Sequence, residues 1–101
     1  MAELVKVANV SEVTAGKAKT VNAKGTAIAL YNVAGKFYAT QNNCLHRGGP
    51  LGEGQLNSDV VTCPWHGWQY DVKDGQNKAI PTAKLKVYRT EVKGEEVYVE
   101  V

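Results

Sequence analysis

The chain of 101 residues contains two cysteines and two histidines, and all four fall within one short run. Cys44-Leu45-His46 forms one clip. Cys63-Pro64-Trp65-His66 forms the other, after a gap of sixteen residues. Thiolates and imidazoles are soft or borderline ligands, and four of them in two close clips is the layout of a metal site. The ligands within a clip are too near each other to serve separate sites. The gap is long enough for a strand out, a turn and a strand back.

Zinc can take two thiolates and two imidazoles in a tetrahedron. Zinc motifs, however, usually pair like with like, cysteines in one clip and histidines in the other. Here each clip carries one of each, so two facing loops would present a cysteine pair on one side and a histidine pair on the other. That arrangement suits a two-iron, two-sulfide cluster with one thiolate-bound and one imidazole-bound iron. A Cys44–Cys63 disulfide, or two free buried thiols, is the structural alternative. The disulfide would leave both histidines unexplained.

The neighbouring residues carry a resemblance. Cys44-Leu-His-Arg-Gly-Gly-Pro-Leu-Gly-Glu-Gly54 and Cys63-Pro-Trp-His-Gly-Trp-Gln-Tyr-Asp71 resemble the two cluster loops of Rieske proteins, closely over residues 43–75 and more loosely over the whole chain. The resemblance implies one [2Fe-2S] cluster, with Cys44 and Cys63 on one iron and His46 and His66 on the other. It also implies an all-β Rieske fold of stacked antiparallel sheets. Residues 1–101 would be one domain, with a cluster-binding lobe at about 43–80 on a larger β base. Replacing two thiolates by neutral imidazoles brings the oxidised cluster from a formal charge of about −2 to about zero. An electron then enters more easily, within a span of about −150 to +300 mV.

High-potential Rieske proteins carry an extra cysteine in each loop and a serine after the His-Gly. Gly49 and Trp65 occupy those cysteine positions here, and Trp68 stands at the serine position, so one sulfur hydrogen bond is lost. Tyr70 matches the tyrosine of that pattern and is expected to donate to the Cys63 sulfur, unless it is an ordinary strand tyrosine. These differences place the expected potential low, below about 0 mV.

The same loops hold Gly48, Gly49, Gly52, Gly54 and Gly67, which let the backbone fold tightly and aim N–H groups at the sulfides. Pro64 stiffens the second loop. Pro81 either shields the cluster from a third segment, as in the family, or simply starts a strand. Arg47 is available for a partner or for Glu53, or is simply solvated. Leu45, Trp65 and Pro81 would give the tip an apolar surface suited to transient docking, while Trp68 belongs in the core.

The surrounding chain must position these loops with strands, for it shows no convincing helix. Leu4 to Ala8 reads as a strand. Ser11 to Gly16 reads as a turn or a single helical turn that Ser11 could cap, and Lys17 to Val21 as a weakly alternating strand. Asn22 to Gly25 is a turn. Thr26 to Val33 is apolar on both faces, as a central strand covered from both sides would be. Ala34-Gly35 turns into Lys36–Thr40, with Phe37 and Ala39 on one face and Tyr38 and Thr40 on the other. Gln55-Leu56 and Val60–Thr62 flank a turn at 57–59. Trp68 to Val72 is a strand, followed by a turn at Asp74-Gly75 and an irregular stretch from Asn77 to Ala83. Leu85 to Val92 is expected as one strand with Leu85 and Val87 inward and Lys84 and Lys86 outward, the outward lysines forming a solvated face or, as the alternative, a docking patch. After a Lys93-Gly94 turn, Val97, Val99 and Val101 line one face.

The net charge of +2 is mild, and the lysines are scattered, which excludes a nucleic-acid footprint. The first residues show no signal-peptide pattern, and no apolar run approaches a membrane span. With both cysteines assigned to a cluster, a reducing cytoplasm is the expected compartment. No Gly-rich nucleotide fingerprint follows a strand, and no histidine remains for the mononuclear iron of an oxygenase subunit. The implied function is a Rieske ferredoxin, not a catalyst. It would take one electron from an NAD(P)H-dependent flavoprotein reductase and pass it to a terminal, aromatic ring-hydroxylating oxygenase. A small subunit of a nitrite-reductase-like complex, a structural zinc module and a redox sensor are the other readings.

Overall fold

The computed structural model describes residues 3–45, 49–65, 67–80 and 82–101. Ten strands run in chain order: β1 Leu4–Asn9, β2 Ala18–Ala23, β3 Thr26–Val33, β4 Lys36–Gln41, β5 Gln55–Asn57, β6 Val60–Thr62, β7 Gln69–Asp71, β8 Val87–Tyr88, β9 Thr90–Lys93 and β10 Glu96–Glu100. They form three antiparallel sheets, ordered β1-β10-β9, β2-β3-β4-β8 and β5-β6-β7. The β2-β3-β4-β8 sheet is the middle layer.

The two-residue period of β3 explains why. Ile28 and Leu30 enter one core with Val21, Phe37, Ala39, Val97 and Val99. Ala29 and Tyr31 enter a second core with Leu51, Val61, Tyr70 and Leu85, together with both cysteines. One strand is thus buried on both faces, as its sequence requires. Phe37 and Ala39 side with the first core and Tyr38 with the second. Thr40 also faces the second core, sharing a 2.8 Å hydrogen bond with the buried hydroxyl of Tyr31.

The hairpins follow from turn chemistry. Lys24 and Gly25 both take positive φ, as do Ala34 and Gly35, which is the geometry that matches strand twist in a two-residue loop. At Gly75 a further constraint appears: φ is +79° and an added methyl would stand 2.5 Å from the carbonyl oxygen of Leu85.

Two expectations need correction. Ser11 is not the cap; it lies inside a short 3₁₀ turn, Val10–Glu12, whose cap is Asn9. The Asn9 N–H donates to the Glu12 carboxylate, which holds that carboxyl below its ordinary range. The stretch from Leu85 to Val92 is not one strand. It changes sheet at Arg89, β8 pairing with β4 and β9 with β10. Leu85 is buried, but Val87 is 40% exposed. β8 lies at the sheet edge and is two residues long, so the alternation that would bury every second residue does not persist.

Candidate metal centre

Two loops reach the same side of the second core. The first leaves the end of β4, runs through Cys44 and closes on itself, with the Cys44 N–H donating to the Gly49 carbonyl at 2.9 Å. The second joins β6 to β7, with the Cys63 N–H bonded to the Trp68 carbonyl at 2.8 Å and the Gly67 N–H to the Cys63 carbonyl at 3.1 Å. Gly67 has φ +73°, so its conformation is costly for any other residue.

Cys44 and Cys63 are both free thiols, only 3% and 2% exposed, and both belong to the second core. The disulfide alternative is therefore set aside. His46, Arg47, Gly48, His66 and Pro81 lie outside the described residues, so the imidazole half of the expected ligand set, and the expected shielding by Pro81, are not described. Among the described residues no group of three metal-ligating side chains occurs.

The two loops touch. A methyl on Gly49 would stand 2.7 Å from Cys63 Sγ and 3.2 Å from the Trp65 ring. Glycine at 49 therefore permits the closest approach of the first loop to the second, and the indole of Trp65 lies over it. The rest of the Trp65 ring is open, 59% exposed, and Leu45 is 44% exposed. Trp68 packs against the second core instead.

Tyr70 bonds a different sulfur from the one expected. Its hydroxyl lies 3.4 Å from Cys44 Sγ, not at Cys63. The Leu45 N–H donates to the phenol oxygen at 3.3 Å, so the phenol proton is left for the sulfur. Tyr70 is fully buried. Burial, with the Cys44 thiol second, pushes the phenol up to about 12, so it stays protonated and able to donate. Tyr70 sits opposite Val61 in the sheet, and its hydroxyl reaches the first loop at Cys44 and Leu45.

Sequence reasoning missed the clamps behind these loops. The Asn42 side chain is buried and its Oδ1 accepts the Gly52 N–H at 2.9 Å and the Thr20 hydroxyl at 3.1 Å, while its carbonyl accepts the Leu51 N–H at 2.8 Å. It fastens the far end of the first loop to β2. Asn77 does the same for a third segment. Its Oδ1 accepts the Ala79 and Ile80 N–H groups, both at 2.8 Å. That segment brings Ile80, 43% exposed, beside Gly67 and Trp68. The available signal was the polar run Gln41-Asn42-Asn43 just before Cys44, where a strand should have continued.

The comparisons agree with this geometry. The family profile described as Rieske [2Fe-2S] domain matches residues 3–89. Ferredoxin CarAc of Metapseudomonas resinovorans is 41% identical over 97 residues, covering 94% of this chain and 91% of the relative. The biphenyl dioxygenase ferredoxin subunit of Pseudomonas sp. (strain KKS102) is 38% identical, covering 94% and 89%. Among solved structures, a complex of reduced oxygenase and oxidized ferredoxin in carbazole 1,9a-dioxygenase contains a chain that superposes with a TM-score of 0.86 at 39% identity, covering 95% of this chain and 91% of that one. The chain belongs to the Rieske [2Fe-2S] domain family, and its cofactor is one [2Fe-2S] cluster.

Proposed function

We propose that Cys44 and Cys63 hold one iron of the cluster, that His46 and His66 hold the other, and that the protein is a one-electron carrier feeding a terminal oxygenase. The observation that carries the reading is the pair of free thiols, one from each loop, brought into one core beneath an exposed apolar tip. The thiols fit the group. They are shielded from water, they come from separate loops, and a hydroxyl donor already points at one of them. The cluster supplies reversible acceptance of a single electron. The residues of this chain supply the rest: Tyr70 donates a hydrogen bond to the Cys44 sulfur, Gly49 admits the second loop, and Leu45 and Trp65 exclude water where a partner approaches.

One relative is named as a ferredoxin, and two others as the ferredoxin parts of a biphenyl dioxygenase and of a naphthalene 1,2-dioxygenase system. The solved complex has a ferredoxin seated with its oxygenase. By the same reading the acceptor is an aromatic ring-hydroxylating oxygenase and the donor an NAD(P)H-dependent flavoprotein reductase. No helix among the described residues is long and apolar enough to cross a membrane. A reducing cytoplasm, where buried thiols stay available for iron, fits the two free cysteines. Residues 1–101 act as one domain in this reading, the lobe from about 43 to 80 carrying the cluster on the two-sheet base.

The deciding test is analytical. Protein assembled with iron and sulfide should hold about two irons and two acid-labile sulfides per chain and show a paramagnetic signal on reduction. A colourless protein containing zinc would end the proposal.

Two variants probe the parts. Tyr70→Phe should lower the reduction potential. A sulfur hydrogen bond favours the more negative, reduced state, and a difference of about 1 kcal/mol corresponds to about 40 mV for one electron. An unchanged potential in a voltammetric titration would detach Tyr70 from the cluster. Trp65→Ala should slow transfer to the oxygenase roughly tenfold while moving the potential much less, because the ring contributes contact area at the tip. An unaltered transfer rate in stopped-flow measurements would remove Trp65 from the docking surface.

A further inference from the structure

Charge is unevenly spread along this chain. From Gly75 to Thr90 there are four cations, Lys78, Lys84, Lys86 and Arg89, and no carboxylate. The whole chain carries +2, so the remaining residues sum to −2. Arg89 is held by Glu100 at 3.3 Å. The three lysines are exposed, and none of the ion pairs among the described residues involves them.

The fold carries Lys78 and Lys86 to the two cysteine loops and Lys84 to the segment behind them. The Lys78 N–H donates to the Gln69 carbonyl, and Lys78 lines a cleft of about 180 Å³ with Gly67, Trp68 and Ile80, beside the second ligand loop. Lys84 pairs with Gln76 across the base of the same segment. Lys86 is joined to the first ligand loop. Its N–H donates to Gln41 Oε1, its carbonyl accepts the Gln41 N–H, and Gln41 Nε2 donates to the Asn43 carbonyl, one residue before Cys44. Lys84 and Lys86 flank the buried Leu85, so both project outward. Near Pro64 and Gly67, Glu53 lines a separate cleft beside the second loop. Among the described residues, Glu53 thus stands on one flank and three lysines outside any ion pair on the other; the Lys86 ammonium lies 5.0 Å from the centre of the Tyr88 ring, and Asp74 accepts the N–H of Gln76, the residue opposite Lys84.

We propose that Lys78, Lys84 and Lys86 form a steering rim that receives an acidic surface of the terminal oxygenase, next to the point where that enzyme takes up the electron. The proposal rests on the electron-carrier reading and specifies the chemistry of its partner. A row of like charges beside an apolar contact raises the encounter rate and sets the orientation, at little cost in residence time. A carrier needs that combination, since it must dock quickly and leave quickly.

The test is stopped-flow electron transfer from the stoichiometrically reduced holoprotein to the terminal oxygenase of its own system, with NaCl raised from about 20 to about 500 mM. The second-order rate should fall at least tenfold across that range. Lys78→Glu/Lys84→Glu/Lys86→Glu should lose about tenfold at low salt and match the wild type at high salt. Lys36→Glu, at the opposite end of β4 from Gln41, should behave as the wild type, and the visible spectrum of each variant confirms an intact cluster. A rate that is fast but independent of salt, or that rises with salt, would overturn the rim and leave the carrier reading standing. A salt-dependent loss seen only with the reductase would overturn the assignment of the acidic face to the oxygenase. No transfer at any salt from a protein with a normal cluster spectrum would overturn the carrier reading itself, and the rim with it.

Discussion

Cys44→Ser is expected to give a folded protein that assembles no cluster. The hydroxyl is close in size to the thiol it replaces, and Cys44 belongs to the second core only. The first core, with Ile28, Leu30, Val97 and Val99, is untouched by the change, so the far-ultraviolet dichroism of the base sheets should persist. A serine hydroxyl stays protonated at neutral pH, where a thiol near iron is readily deprotonated. Iron per chain should therefore fall from about two to near zero, with loss of the visible bands and of the signal from the reduced state. Cys63→Ser should behave alike. A normal spectrum from either variant would show that the thiols are core residues, and the ligand assignment would be wrong. A variant that is unfolded by dichroism is excluded by making Cys44→Ala in parallel, since alanine leaves no buried hydroxyl to satisfy.

Leu51→Ala should have the largest effect on stability. Leu51 is fully buried and stands in the 3₁₀ turn Leu51–Glu53, which ends the first ligand loop. It packs in the core that the middle sheet shares with the β5-β6-β7 lobe. Truncation at such a site costs about 2–5 kcal/mol, the spread reflecting how far the neighbours collapse into the cavity. That is a large part of the total stability of a small domain, about 5–15 kcal/mol. The melting temperature of the apoprotein should drop by at least about 8 °C, and the holoprotein should bleach faster under a chelator. A shift of less than about 2 °C would mean that the lobe does not lean on Leu51.

Much of this was legible in the sequence because it depends on local rules. The continuous apolar run over residues 26–33 announced a strand covered on both faces, and Ile28 and Tyr31 occupy opposite cores as that requires. Gly25 and Gly35 marked tight hairpins. The mixed Cys-His clips, with glycines around them, marked the two loops that meet where Gly49 approaches Cys63. The failures share a cause: they depend on which distant segment a residue meets. The split at Arg89 is set by two different partner strands, and residues 85–92 alone carry no trace of it. Tyr70 was matched to the wrong sulfur because the path of a side chain under a loop is a matter of tertiary packing. Asn42 carries no local pattern that marks it, yet its three bonds, to Gly52, Thr20 and Leu51, hold the first loop against β2. The cap at Asn9 was missed because Ser11, two residues on, is an equally good capping type.

The ring of Trp65 over Gly49 has a consequence for where the protein can work. A cystine clasp between ligand loops opens when glutathione or a thioredoxin-like donor outcompetes it. A clasp made of an aromatic ring resting on bare backbone has no bond for such donors to attack. The contact between the two loops has no reducible bond at this point, and under the proposed function the indole offered to a docking partner is the same one that lies against the first loop's backbone.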